Sequence, residues 1–231
     1  MDYIASMSIH CSIATIISNN SMDNAMESMG NGGIIKSFIK AAGAIIEKII
    51  NGVKAVVNAI RNGIKRIRNK SKAEAPIMLQ LKEFLNHSDE MSAMFKKGAS
   101  IINRAVDCFN KLNITNDDIA QANEIMDELN SMESDLNAKL KDVERTKPAV
   151  SLFLIGEESE KLQTLLNNMT GLLEKLSAMK KNLENIQNKL DKSKDMIQFY
   201  KNSSAIIGLR NDITIFATMV LQFNTMLMSV M

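Results

Sequence analysis

The sequence predicts an all-α protein: long antiparallel helices forming a helical bundle or coiled-coil hairpin, elongated in shape. Three observations predict it. Apolar residues recur every three or four positions through most of the 231 residues, the period of one helix face. The chain has just two Pro, at 76 and 148, and each marks a helix boundary, with further breaks at Gly30-Asn31-Gly32-Gly33 and Asn202-Ser203-Ser204. Aromatic residues make up 4% of the chain, with no Trp, whereas a β-rich domain would want aromatic strands and turns rich in Gly and Pro. An apolar share of 45% and a net charge of +2 exclude an intrinsically disordered chain. Two cysteines, Cys11 and Cys108, exclude a disulfide scaffold.

Taken in order, residues 1–33 read as an N-terminal helical segment, with a helix at 3–28 and a Gly-rich hinge. The apolar run at 4–17 is too short to span a bilayer and contains His10. The first Lys is Lys36, so no basic region precedes that run and no signal peptide is expected. Synthesis in the cytoplasm follows, with buried thiols in a reducing compartment and with a virion or signal-less export as the routes out. The stretch Gly30-Asn31-Gly32-Gly33 reads as a hinge or a processing site.

Residues 34–72 read as a cationic amphipathic helix. Ile35, Ile39, Ala42, Ile46, Ile49, Val53, Val56, Ile60 and Ile67 form an apolar face; Lys40, Lys54, Arg61 and Arg68 form a row on another, broken by Glu47. Ten basic residues against Glu47 give the segment a charge of +9. Such a face is solvated, meets acidic helices, lies on an anionic membrane or tracks phosphates. The residues expected to contact an anionic surface are Lys36, Lys40, Lys54, Arg61, Lys65, Arg66 and Arg68. Without interleaved aromatics, contact with nucleic acid would run through backbone phosphates and not through base stacking. Gly43, Gly52 and Gly63 each cost about 1 kcal/mol of helix propensity relative to Ala, which implies close packing or ordering on a partner.

Residues 77–231 read as the bundle or coiled-coil region. A helix at 77–112 carries the stripe Leu81, Phe84, Ser88, Met91, Phe95, Gly98, Ile102, Ala105, Phe109 and Leu112. Thr115-Asn116-Asp117-Asp118 supplies capping oxygens and early negative charge for a helix at 116–146. Nine acidic residues at 117–144 against Lys139 and Lys141 leave −7, the counterweight to the basic segment. The apolar run at 150–155 reads as a buried connection. A helix at 157–201 carries the longest stripe: Leu162, Leu165, Met169, Leu172, Leu176, Met179, Leu183, Ile186, Leu190, Ser193, Ile197 and Tyr200. Its average spacing of 3.5 residues suits a partner helix, and its length of about 67 Å points to elongation or assembly. The last helix, at 205–231, has no charge after Asp212. Its length approaches a membrane span, but Thr, Asn, Gln and Ser dilute that signal in favour of a core or interface. The expected oligomer interface comprises the apolar positions from Leu162 to Leu190 together with Phe216, Val220, Phe223 and Leu227.

No catalytic, metal or cofactor site is expected. Gly30 to Ser37 imitates a phosphate-binding loop, but Ile35 stands where a Gly must let the amides approach the phosphate. His10 and His87 join no ligand cluster. The expected function is therefore that of a non-enzymatic structural or assembly protein acting through helix–helix contacts. Its abundant Ile, Lys, Asn and Met suit an AT-rich genome, and a bacteriophage particle component is the concrete form. A membrane-active protein of the translocator or α-pore-forming type is the alternative, using 34–72 and the apolar C-terminus. Nucleic-acid packaging is the third. The partners so implied are copies of the chain or other helical proteins, an anionic membrane surface, or a nucleic-acid backbone.

Overall fold

A computed structural model describes residues 31–67, 75–111, 114–154, 159–192 and 204–231. They form five helices, with no strand among the described residues: α1 (Asn31–Ile67), α2 (Ala75–Phe109), α3 (Asn116–Thr146), α4 (Ser159–Lys192) and α5 (Ser204–Met228). The all-α bundle expected from the periodicity is what the chain forms. The helix expected at 3–28, with His10 and Cys11, lies outside the described residues, as do Ser193, Ile197 and Tyr200 at the end of the longest stripe.

Local chemistry sets the ends. Gly32 and Gly33, read as part of a hinge, fall in the first turn of α1. Pro76 is the second residue of α2, where its missing N–H is not needed. At α3 the Thr115 hydroxyl accepts from the Asp118 amide at 3.3 Å, and the Asp118 carboxylate accepts from the Thr115 amide at 2.9 Å. This reciprocal box satisfies two amides that the first turn leaves orphaned. After Thr146, Pro148 prevents continuation. The expected buried connection is a 3₁₀ turn, Leu152–Leu154, whose Leu152 amide donates to the Val230 carbonyl at 2.8 Å.

Cross-helix contacts fix the directions. Arg104 of α2 meets Glu128 of α3 at 2.9 Å and Glu90 meets Lys139 at 2.5 Å, so these helices are antiparallel. Asn168 donates to Asp89 and Asn182 to Asp107, both at 2.6 Å, so α2 and α4 are parallel. Arg210 lies over the Phe38 ring at 5.2 Å and Asn224 abuts Gly52, so α1 and α5 are parallel. The 3₁₀ turn after α3 meets the C-terminal ends of both α1 and α5 through Gly63 and Val230, which makes α3 parallel to them. Successive helices thus alternate in direction. In space α5 stands between α1 and α3, while α4 and α2 pack beneath as a second layer.

The core fills the space between layers. Phe95 of α2 packs edge-on to Phe216 and tilted to Phe223 of α5, with both centroid distances 5.6 Å. Gly98 permits this approach, because a Cβ there would come within 2.7 Å of the Phe216 ring. Gly63 likewise leaves room for Phe153, and Gly52 for Asn224, whereas Gly43 has nothing within 4 Å. Of Gly43, Gly52 and Gly63, close packing explains the last two.

Candidate interaction surface

The apolar stripes come first, because they decide what surface is left. Leu162, Leu165, Met169, Leu172, Leu176, Met179, Leu183, Ile186 and Leu190 of α4 are at most 1% exposed, as are Phe216, Val220, Phe223 and Leu227 of α5. These residues were expected to form an oligomer interface. The single chain already covers them: α4 seals its stripe against α1 and α2, and α5 against α1, α2 and α3. Burial of each large aliphatic side chain contributes about 2 kcal/mol to the monomer, leaving no surface there for a partner.

On α1 the solvent-facing row repeats at three and four residues as Lys40, Ala44, Glu47, Asn51, Lys54, Asn58, Arg61 and Lys65. All eight are exposed. Glu47 is tied to Lys180 of α4 at 3.2 Å, which places the row on the α4 side of α1. Lys40, Lys54, Arg61 and Lys65 make no ion pair among the described residues. Lys36 is half-buried and has a partner. The Arg66 side chain and Arg68 lie outside the described residues.

The acidic helix lies at the opposite edge of the layer, against α2 and α5. Its basic counterpart does not pack on it, because α5 intervenes. Several acids of α3 serve the fold itself. Asp118 takes an ion pair from Lys111 and both Thr115 donors, and this set, with Lys111 the largest cause, holds its carboxyl down at about 2. Glu128 is bound by Arg104, and Asp142 by Arg145 at 3.1 Å. Glu124, Asp127 and Asp135 are exposed and make no ion pair among the described residues. Glu133 and Asp212 of α5 line one shallow pocket between α3 and α5. Burial, then the charges of Glu133 and Asp127, push the Asp212 carboxyl up.

Between the two edges the outer face of α5 presents Ile207, Asn211, Ile215 and Thr218. Ile207 is 47% and Ile215 43% exposed. The even spacing that marks the buried stripe also defines these outward positions, but sequence reasoning followed only the apolar side. Asp212 was missed for the same reason.

Other chemistry-bearing groups are dispersed. Cys108 is buried, its thiol directed at the Arg104 carbonyl at 3.4 Å, and burial pushes its ionisation up, away from a nucleophilic thiolate. His87 Nδ1 lies 4.0 Å from Glu90. Among the described residues no group of His, Cys, Asp or Glu is placed to hold a metal. A cleft of about 490 Å³ opens between α1 and α4, lined by Ile39, Lys40, Gly43, Glu47, Lys180 and Leu183 among others. It is shallow and already bridged by the Glu47–Lys180 pair.

No known protein family, curated protein or solved structure matches this chain.

Proposed function

We propose that the chain is a non-enzymatic helical assembly protein, acting through contacts between its outer helices and those of neighbouring chains. What supports the reading is a single arrangement: an interior closed by the chain's own helices, and charges of opposite sign, without ion pairs among the described residues, at opposite edges of one layer. Charge held apart in this way costs self-energy in the monomer and is relieved by a complementary neighbour. A component of a bacteriophage particle is the concrete form of this reading, in keeping with the composition rich in Ile, Lys, Asn and Met. The test is the mass of the full chain by light scattering at micromolar concentration. A mass above the 25.6 kDa of one chain is expected; a monomer throughout contradicts the reading.

A second reading is favoured by α5. The segment Ile206–Met228 is long and apolar enough to cross a membrane, with an 18-residue stretch of mean hydropathy 1.2 that is 44% buried. In a membrane-active protein, α1 would dock on anionic lipid and α5 would leave the bundle to insert. Leaving would expose Phe216 and Phe223, which pack on Phe95. Flotation with vesicles containing phosphatidylglycerol discriminates: the second reading requires the chain to float, and the first leaves it at the bottom of the gradient.

A further inference from the structure

We infer that the chain associates with a second copy of itself edge to edge, the basic row of α1 in one copy lying on the acidic ridge of α3 in the next. The inference rests on the assembly reading and names its partner and its geometry. Lys40, Lys54, Arg61 and Lys65 repeat along one line of α1, exposed and without ion pairs among the described residues. Glu124, Asp127 and Asp135 do the same on α3. The internal ties show which way each set faces. Glu47, in the basic row, reaches sideways to Lys180 of α4; Glu128, among the acids, reaches sideways to Arg104 of α2. The two sets therefore lie on opposite flanks of the bundle, and neither flank can satisfy the other within one copy.

The register of the helices sets how two copies meet. Phe38 of α1 is level with Arg210, and Glu133 of α3 with Asp212. On that scale Lys54 stands level with Lys147, just past the end of α3, and Arg61 and Lys65 lie beyond that end. Two copies side by side at equal height would set Lys54 beside Lys147 and leave Arg61 and Lys65 with no acid of α3 to face. A displacement of roughly 35 Å along the bundle axis, from the 1.5 Å rise per residue, instead sets Lys54, Arg61 and Lys65 alongside Glu124, Asp127 and Asp135. Such a contact uses different surfaces on the two partners and shifts each copy along the axis, so it does not close on a two-fold. It leaves a free basic flank at one end and a free acidic flank at the other, ready for further copies.

The experiment uses the full chain in sedimentation velocity with two charge-reversed variants. One carries Lys40→Glu, Lys54→Glu, Arg61→Glu and Lys65→Glu; the other carries Glu124→Lys, Asp127→Lys and Asp135→Lys. All seven positions are exposed, and helical circular dichroism verifies that each variant folds. The wild type is expected to grow in mass with concentration. Each variant alone is expected to associate on the order of 100-fold more weakly, since several charge pairs become repulsive at once. An equimolar mixture of the two restores association, because the reversed flank of one then faces the reversed flank of the other. Wild-type assembly that both variants retain overturns this contact and leaves the assembly reading standing, as does a mass fixed at two chains at every concentration. A wild type that stays monomeric overturns both.

Discussion

Helices α1 and α3 are alike in length and opposite in charge, yet they spend their charges differently. On α3, Asp118 closes the N-terminal cap, Glu128 ties the helix to α2, and Asp142 holds Arg145. On α1 the basic row contributes nothing to the fold that the structure records; its one acid, Glu47, is the residue engaged. Their inner faces, by contrast, do the same work, with Ile46, Ile49 and Val53 on α1 and Leu129, Leu136 and Val143 on α3 all buried. A charged helix surface is thus not one kind of feature. Part of it builds the monomer, and the remainder is available to a partner.

The largest effect should come where the two helices agree. Ile49→Ala on α1 and Leu136→Ala on α3 each remove a side chain that is at most 1% exposed. Each is expected to lower unfolding stability by about 3 kcal/mol, read as a drop in the urea midpoint. A marked difference between them would show that one helix is only loosely docked.

The cap separates α3 from α1. Thr115→Ala removes a hydroxyl that serves both the Asp118 amide and the Asp118 carboxylate, and should cost about 1 kcal/mol. Acid should act on the same place. Because the folded Asp118 carboxyl is held at about 2, below its ordinary 3.8, its stabilising share is present above the ordinary value and disappears as pH falls toward about 2. The wild-type advantage over Asp118→Asn in urea midpoint should therefore shrink between about pH 4 and pH 2. An advantage that holds constant with pH would mean the carboxylate charge is not what Lys111 and Thr115 stabilise.

A gain of similar size is expected at the α1–α5 contact. Asn224 is 4% exposed and neither of its amide atoms has a hydrogen-bond partner among the described residues. Replacing it with Leu removes that desolvation cost and should raise stability by about 1 kcal/mol. A loss of stability would indicate that the space beside Gly52 cannot take the branched side chain.

The fold was legible because its signal is periodic. Every described position of the α2, α4 and α5 stripes is buried as expected, Leu112 lying outside the described residues, and Thr115 to Asp118 caps α3 as its residue types require. Assignment of those stripes to an oligomer was not legible. A spacing of 3.5 residues states that a helix has a partner, and Leu172 reads the same whether that partner belongs to its own chain or to another. Asp212 and Ile215 escaped for a related reason: each is set by which neighbours α5 acquires across more than 70 residues of chain, a tertiary fact. The opposed charges of the 34–72 and 117–144 segments were visible in the sequence, but only the insertion of α5 between their helices keeps them apart.

The smallest effect on stability should come from the α1 row. Single replacements such as Lys54→Gln or Arg61→Gln should change unfolding stability by no more than about 0.5 kcal/mol, because these exposed side chains make no ion pair among the described residues. Their consequence should appear in assembly instead. The most direct test of that division is the mass of the full wild-type chain by light scattering, followed over micromolar concentrations at low and at high salt. Mass that rises with concentration at low salt and returns to 25.6 kDa at high salt is the predicted result. A mass of 25.6 kDa under every condition, or an oligomer indifferent to salt, would contradict it.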